Sequence, residues 1–216
     1  MTQPKKGIDV SHWETENGGT KAHVPFNWSV FQAAGGILAT IRATYMLNPL
    51  FSSWKMATDA QYVANMADAH AAPGADVVSY HLFEMRANTW QVQADYFLSV
   101  ADLFGNPAML DGELTTGAAT GVDVRRWLEY VEAKTNVTPW LYANTSWIKR
   151  YFTPKDTWLR HFPLVLAAYN NTAYPAVPLP YFPSDPIGVQ FAQNVYAPAY
   201  GVQNGNLGAA LYEMHT

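Results

Sequence analysis

The chain of 216 residues contains no cysteine, and only 14% of its residues are charged. The absence of cysteine excludes disulfide bridges, thiolate metal sites and cysteine nucleophiles. The formal net charge is −4, and the basic residues form no cluster larger than a neighbouring pair. Nucleic acid is therefore disfavoured as a main partner, because nucleic-acid binding needs clustered positive charge.

Long apolar runs are missing as well. No stretch reaches the roughly 20 residues needed to cross a bilayer, so no membrane association is expected. No apolar segment follows the lysines near the N-terminus, so no signal peptide is expected in this chain. Glycine-rich phosphate loops and nucleophile elbows are also absent, which disfavours phosphate-binding enzymes and serine hydrolases. The composition, 49% hydrophobic, is that of a globular protein, and residues 1–216 are expected to form a single domain.

Short β-like apolar runs alternate with helical stretches along the chain. The predicted strands are Gly7–Ser11, Gly36–Arg42, Asp76–Leu82, Ala108–Glu113, Pro139–Ala143, Pro163–Ala168, Ile187–Phe191 and Asn206–Tyr212. Helices are expected in the first five connections only, since a Pro- and Tyr-rich loop follows the sixth strand. Strands that alternate with helices pair in parallel, and eight of them favour a closed barrel. The predicted fold class is α/β, a modified TIM-like barrel with eight strands and about five helices, (β/α)5(β)3.

The predicted helices rest on apolar residues at helical spacing. The three clearest stripes are Met56, Ala60, Val63, Ala67; Val92, Tyr96, Val100, Leu103; and Val124, Trp127, Leu128, Val131. A capping box formed by Asn88 and Gln91 is expected to open the second of these helices. Segments 26–34 and 145–151 are weaker helix predictions.

Carboxylates stand where a barrel enzyme needs them, at the C-terminal ends of strands. Asp9 lies near the end of the first predicted strand, and Asp111 and Glu113 end the fourth. Residues i and i+2 of a strand share a face, about 6.5–7 Å apart. Such a pair can divide into one protonated acid and one charged partner, as glycoside cleavage requires. Acid-x-acid pairs also occur by chance, as at Glu14 and Glu16, so the spacing alone leaves a catalytic role open.

Aromatic residues are abundant, with 8 Trp, 13 Tyr and 10 Phe. They fit either sugar-stacking surfaces or a large aromatic core, and composition alone favours the core. Tyr174, Tyr181 and Phe182 lie in the loop 170–186 and have two equally good interpretations. They form a sugar-binding platform at the lip of the barrel, or they pack together and cover a barrel wall that lacks a helix.

His12 and His81 lack further ligands at metal-binding spacing, so both are expected to form hydrogen bonds rather than bind a metal. No cofactor is expected. Arg42, deep in a predicted strand, is expected to pair with an inward carboxylate.

Short motifs in a fixed order support a more specific interpretation. They are Gly7-Ile8-Asp9-Val10-Ser11-His12-Trp13, Ile41-Arg42-Ala43-Thr44, Ser79-Tyr80-His81-Leu82-Phe83, Leu110-Asp111-Gly112-Glu113, Trp140-Leu141-Tyr142, Leu166-Ala167-Ala168-Tyr169 and Val189-Gln190-Phe191. In these motifs, which span nearly the whole chain, the sequence resembles family-25 glycoside hydrolases, the lysozymes of phages, bacteria and fungi.

The resemblance implies cleavage of the β-1,4 bond after N-acetylmuramic acid in bacterial peptidoglycan. By position, Glu113 is implied to be the general acid, Asp111 the partner that stabilises developing positive charge, and Asp9 a residue that orients the sugar. The groove is implied to be lined by Tyr80, Tyr142, Tyr169 and Gln190. The expected partner is the peptidoglycan glycan strand, met at the cell wall outside the cell or through phage delivery. The oligomeric state is left open.

Two positions depart from the family pattern. Tyr45 stands where the family commonly has Glu, and Asn206 aligns with an aspartate of the last strand. Asn206 is therefore expected to bind substrate, since an amide can hydrogen-bond a sugar but cannot act as a charged base. This replacement keeps two alternatives open: a non-catalytic glycan-binding domain derived from such an enzyme, and a wall-piercing component of a phage particle.

The mechanism is a separate question. A two-residue spacing does not by itself bring carboxylates to the roughly 5–5.5 Å of an ordinary retaining pair. This favours substrate assistance, in which the 2-acetamido group of the sugar attacks the anomeric carbon.

Overall fold

A computed structural model describes residues 5–11, 28–33, 35–47, 55–71, 74, 76–84, 90–115, 120–169, 186–195 and 209–214 of the chain. Its strands are β1 (Lys5–Val10), β2 (Gly36–Leu47), β3 (Lys55–Thr58), β4 (Asp76–Leu82), β5 (Met109–Gly112), β6 (Trp140–Asn144), β7 (Leu164–Ala167), β8 (Gly188–Val195) and β9 (Ala209–Met214). Its helices are α1 (Trp28–Ala33), α2 (Tyr62–His70), α3 (Trp90–Val100), α4 (Gly121–Thr135) and α5 (Thr145–Tyr151), with a 3-10 turn at Thr157–His161.

Eight of these strands close into a barrel. β1 pairs in parallel with β2, and the parallel pairing continues through β4, β5, β6, β7 and β8. β9 runs antiparallel to both β8 and β1 and closes the ring. The predicted α/β class, a modified TIM-like barrel with five helices, is confirmed.

The remaining strand, β3, lies outside the ring and was not expected. β2 continues beyond the barrel and forms an antiparallel hairpin with β3, in which Thr44 pairs with Thr58 and Leu47 with Lys55. The prediction that Met56 and Ala60 begin a helix is therefore wrong, because the free edge of the extended β2 captures residues 55–58 as a strand.

The buried faces of two helices also differ from prediction. α2 buries Tyr62, Asn65, Met66 and Ala69 and leaves Val63 exposed. α3 buries Gln93, Ala94 and Phe97, whereas Val92 is exposed. The α3 stripe was assigned one residue away because Gln93, a polar residue, is buried with its hydrogen bonds satisfied. Asn88 of the predicted capping box lies outside the described residues.

Other helix predictions hold. α4 buries Val124, Trp127, Leu128 and Val131, the predicted stripe. The helix begins where the backbone N–H of Thr120 donates to Asp123 Oδ2 at 2.8 Å. It ends at Asn136, which adopts the left-handed conformation with φ 56°. α5 spans the predicted residues 145–151, and α1 falls within the predicted range 26–34.

Side chains of the strands alternate between two apolar layers, as the pleat of a strand requires. The inner layer fills the barrel and contains Leu38, Val78, Tyr80, Met109, Tyr142, Val165 and Ala167. The outer layer packs against the helices and includes Ile41, Phe83, Leu110, Leu141 and Leu166. Because paired residues of parallel strands share a side, Asp111 points inward with its partner Tyr142. The inner layer is apolar at its floor and polar at its C-terminal mouth.

Candidate active site

Three carboxyl groups meet at the C-terminal mouth of the barrel. Asp9 comes from β1, Asp111 from β5, and Glu113 from the residue that follows β5. Asp9 is close enough to feel the charge of Glu113, and Asp111 feels the charges of both. These three residues are called the carboxyl cluster below.

Asp9 is held by a hydrogen bond from the neighbouring strand and has a raised pKa. Its Oδ1 accepts a hydrogen bond of 3.0 Å from the hydroxyl of Thr40, a fully buried residue on the neighbouring strand β2. Burial raises the pKa of Asp9 to about 7, and the Thr40 hydroxyl and the charge of Arg42 oppose part of this rise. Asp9 therefore titrates near neutral pH.

Asp111 and Glu113 occupy different environments. Asp111 is 7% exposed, and its Oδ1 has no hydrogen-bond partner within the described chain. Burial raises the pKa of Asp111 well above its usual range, and the charges of Glu113 and Asp9 raise it further. The Glu113 side chain reaches the surface, although partial desolvation in the cleft raises its pKa as well. The pair thus combines a sheltered carboxyl with an accessible one.

Two tyrosines and a glutamine form a compact cluster beside these acids. The hydroxyl of Tyr142 lies 2.8 Å from that of Tyr169, and the Gln190 Oε1 atom accepts from both, at 2.5 Å and 2.6 Å. Tyr142 and Gln190 are buried, whereas Tyr169 is 41% exposed. Burial raises the pKa of Tyr169 to about 12, so its hydroxyl stays protonated.

The predicted site residues are thereby brought to one end of the barrel. Tyr80 points inward from β4, and its hydroxyl group opposes part of the rise in the pKa of Asp9. Asn206, His12 and the aromatic residues of the loop 170–186 lie outside the described residues.

Arg42 and its partner Asp59 form a buried ion pair next to the cluster. Arg42 Nε donates to Asp59 Oδ2 at 2.8 Å, and both side chains are buried. The expectation that Arg42 pairs with a carboxylate is met. Sequence reasoning missed Asp59 because it follows β3, the strand that was assigned to a helix. Thr40 was missed as well, because the sequence of β2 gives no indication that this threonine faces Asp9.

His81 lies on the other side of β4, against the helices. Its Nε2 is 3.0 Å from Gln93 Oε1, which can only accept, so Nε2 carries the proton. Its Nδ1 then accepts from the Thr44 hydroxyl at 2.8 Å. Burial lowers the pKa of His81 to about 4, and the ring stacks on Trp127. His81 forms structural hydrogen bonds, as expected.

The described residues contain neither a metal-ligand cluster nor a helix that could span a membrane. They hold no group of three or more histidine or acidic side chains placed to bind a metal ion. None of their helices has the length and apolarity that crossing a membrane demands.

Comparisons of structure show what this chain resembles. A bacterial lysozyme from Streptomyces coelicolor superposes with a TM-score of 0.75 at 23% identity, covering 100% of this chain and 94% of that one. A family GH25 lysozyme from Aspergillus fumigatus gives 0.74 at 17% identity, covering 99% and 95%. The catalytic domain of endolysin ply40 from bacteriophage P40 of Listeria monocytogenes gives 0.69 at 14%, covering 100% and 95%. At these identities the likeness establishes the fold.

Sequence comparison gives the family. No curated protein sequence matches the chain. Residues 8–198 match the family described as Glycosyl hydrolases family 25. This match covers most of the chain and agrees with the barrel and with the motifs on its strands. The chain belongs to glycosyl hydrolases family 25 and is a glycosidase.

Proposed function

We propose that this glycosidase is a lysozyme-type muramidase that hydrolyses the β-1,4 bond between N-acetylmuramic acid and N-acetylglucosamine in bacterial peptidoglycan. The observation that carries the proposal is the carboxyl cluster, in which a sheltered Asp111 on β5 and an accessible Glu113 just after β5 lie close enough for their charges to interact. The relatives named lysozyme and endolysin support the choice of substrate.

Glu113 is assigned as the general acid. Glu113 is an exposed residue at the mouth of the cleft, so a leaving sugar can reach it from solvent, while partial desolvation of its carboxyl group favours the protonated form. Asp111 is assigned to the face of the sugar deeper in the cleft, where it stabilises the developing positive charge. Asp9, held by Thr40, orients the sugar at the point of cleavage.

The proton must be on Glu113 at the moment of cleavage, yet in the free protein Asp111 holds a proton more tightly than usual because it is buried. Substrate supplies a reason for the proton to move. The N–H of the 2-acetamido group donates a hydrogen bond to Asp111 Oδ1, the buried oxygen that has no partner in the described chain. This hydrogen bond stabilises the ionised form of Asp111. An ionised Asp111 in turn favours the protonated form of Glu113, because like charges disfavour each other.

The reaction proposed from this state is substrate-assisted. The acetamido oxygen attacks the anomeric carbon, the glycosidic C–O bond breaks, and Glu113 gives its proton to the leaving oxygen. Water then attacks the anomeric carbon of the resulting oxazolinium ion, Glu113 takes a proton from that water, and the acetamido group re-forms. A covalent glycosyl adduct on Asp111, trapped with a fluorosugar, would contradict this order of events.

The groove beside the acids is assigned to substrate binding. Tyr80, Tyr142, Tyr169 and Gln190 present hydroxyl and amide groups at the same mouth of the barrel, and Asn206 is assigned to the same role from sequence alone. Fixed polar groups beside aromatic faces suit a sugar, which has both hydroxyls and apolar ring faces.

The test compares two glutamate variants on purified peptidoglycan. Glu113→Gln should abolish the release of reducing ends while the protein still binds the glycan. Glu129→Gln, the same substitution at an exposed glutamate of α4 paired with Arg125, should release reducing ends like the parent. Binding without release by the parent protein itself would instead support the glycan-binding alternative, which Asn206 keeps open.

A further inference from the structure

The carboxyl cluster has a cationic neighbour that is held in place from outside the barrel. Arg42 points into the mouth from β2, where it pairs in register with Tyr80 of β4. Its Nε donates to Asp59 Oδ2 at 2.8 Å, and its guanidinium lies 4.9 Å from the centre of the Tyr45 ring. Both side chains of the ion pair are almost fully buried. A buried guanidinium between a carboxylate and an aromatic ring has little freedom to move.

Asp59 is itself fixed by the backbone around it. Its Oδ1 accepts from the backbone N–H of Gln61 at 2.9 Å, and its own N–H donates to the Ala43 carbonyl at 2.9 Å. These bonds attach the turn after β3 to β2 next to Arg42. The hairpin therefore delivers a carboxylate, held by two backbone hydrogen bonds, to the Arg42 guanidinium.

The charge of Arg42 acts on all members of the cluster. Burial raises the pKa of each carboxyl group, and Arg42 opposes that rise at Asp9, at Asp111 and at Glu113. Within the described part of the chain, the charged and titratable groups that interact electrostatically with Arg42 include Asp59 after β3, Tyr45 from β2, Asp9 from β1, Tyr80 from β4, Asp111 from β5 and Glu113 just after it.

We propose that Arg42, anchored by Asp59, is a positioning residue whose charge favours the ionised forms of the carboxyl cluster. Asp59 has two effects in this arrangement: it fixes the guanidinium and it offsets part of its charge. The hairpin thereby sets how readily Asp111 ionises when substrate arrives. The inference deepens the proposed function and rests on the catalytic roles given above to the cluster.

The experiment compares two variants that differ only at residue 42. Asp59→Asn keeps the shape of the partner and removes its charge, and it gives up one of the two accepted hydrogen bonds because an amide has a single accepting oxygen. Arg42→Gln with Asp59→Asn carries the same change at residue 59, removes both charges and so avoids leaving an ion buried alone. Titration of the labelled ¹³C carboxyl groups by NMR, with the cluster assigned through Asp9→Asn and Glu113→Gln, follows each acid without any substrate. The double variant should titrate at a higher pH than Asp59→Asn, by about half a pH unit or more.

A matched control removes an ion pair of similar kind elsewhere. Arg125→Gln with Glu129→Gln deletes the exposed pair on α4 and should leave the cluster titrations where they are. Identical titrations in Asp59→Asn and in the folded double variant would overturn the proposal. Should the double variant fail to fold, Asp59→Asn alone remains a test. Its titrations should move to lower pH than those of the parent, because the guanidinium charge is no longer offset, and unchanged titrations would overturn the proposal.

Activity gives a second, separate readout. The pH profile of kcat/KM should move in the same direction as the NMR titrations, with a smaller change in KM than in kcat. Because the titrations need no turnover, a protein that does not cleave peptidoglycan but still shows the shifts would fail the proposed function and leave this inference standing.

Discussion

The indole ring of Trp147 lies directly against Gly112, the residue between Asp111 and Glu113. A Cβ atom placed on Gly112 would stand 2.6 Å from Cη2 of this ring, closer than atoms tolerate. The same indole donates from Nε1 to the carbonyl of Leu114 at 3.0 Å. Trp147 is fully buried in α5, so it fixes the short segment that carries both acids from the helix side of the barrel.

Substitution of Gly112 should therefore damage the site through its backbone. Gly112→Ala is expected to destabilise the protein by about 2 kcal/mol, because a rigid buried ring must move, and to lower kcat more than tenfold. Urea unfolding and peptidoglycan turnover measure the two effects. Trp147→Phe replaces the indole with a shorter ring that lacks the outer atoms met by the new Cβ. The double variant Gly112→Ala, Trp147→Phe should therefore lose less free energy of unfolding than the two single variants lose together. Strict additivity would contradict the contact as the cause.

Asp9 should make the protein less stable as pH rises. Its folded pKa of about 7 exceeds the ordinary value of 3.8, so the folded state binds more protons between these values. The favourable contribution of protonated Asp9 to the free energy of unfolding is thus complete below pH 3.8 and is lost as pH rises through 7. Asp9→Asn should stabilise the protein at pH 8 by about 2 kcal/mol, an amount reduced for the partial exposure of the carboxyl, and very little at pH 4. A stability gain equal at both pH values would show that burial of this charge is not the cause.

His81 should have the opposite dependence. Its folded pKa of about 4 lies below the ordinary 6.5, so the unfolded state binds more protons between them and stability falls as pH falls through this window. The difference in free energy of unfolding between the parent and His81→Gln should shift against the parent by on the order of 3 kcal/mol from pH 7.5 to pH 4. Urea unfolding of both proteins at the two pH values checks this. A constant difference would mean that the ring is not buried in its neutral form.

The tyrosine pair beside the acids should divide into a structural and a substrate-binding member. Tyr169→Phe removes the hydroxyl of a half-exposed residue and leaves Tyr142 with its bond to Gln190, so stability should change little while KM for peptidoglycan fragments rises several-fold. Tyr142→Phe removes a buried hydroxyl that contacts both partners and should destabilise the fold by about 1 kcal/mol. Thermal unfolding and steady-state kinetics separate the two outcomes, and a larger loss of stability in Tyr169→Phe would reverse the assignment.

Most of the barrel could be predicted from sequence because its strands are short apolar runs bounded by turns. The period of two also predicted that Asp111 and Glu113, at the end of the predicted strand Ala108–Glu113, point to the same side. β3 could not be predicted, since residues 55–58 become a strand only because β2 overruns the barrel and offers them an edge. The face of α3 was missed for a similar reason, because Gln93 is buried only where His81 and the backbone of Glu84 satisfy its amide.

Within the candidate site, sequence identified the acids but not their protonation. Whether a carboxyl is charged depends on groups contributed by other strands, here the Thr40 hydroxyl and the Arg42 guanidinium. These lie more than 30 residues from Asp9 along the chain, and their effect is visible only once β1 and β2 are paired.

The most direct test of the central claim identifies the sugar at each newly formed reducing end. Purified peptidoglycan is digested, the new ends are reduced with borohydride, and the products are analysed by mass spectrometry beside a digest by Glu113→Gln. A muramidase that uses Glu113 as its acid should produce muramitol ends, and these should be missing from the variant digest. Glucosaminitol ends, or muramitol ends that persist in Glu113→Gln, would contradict the account.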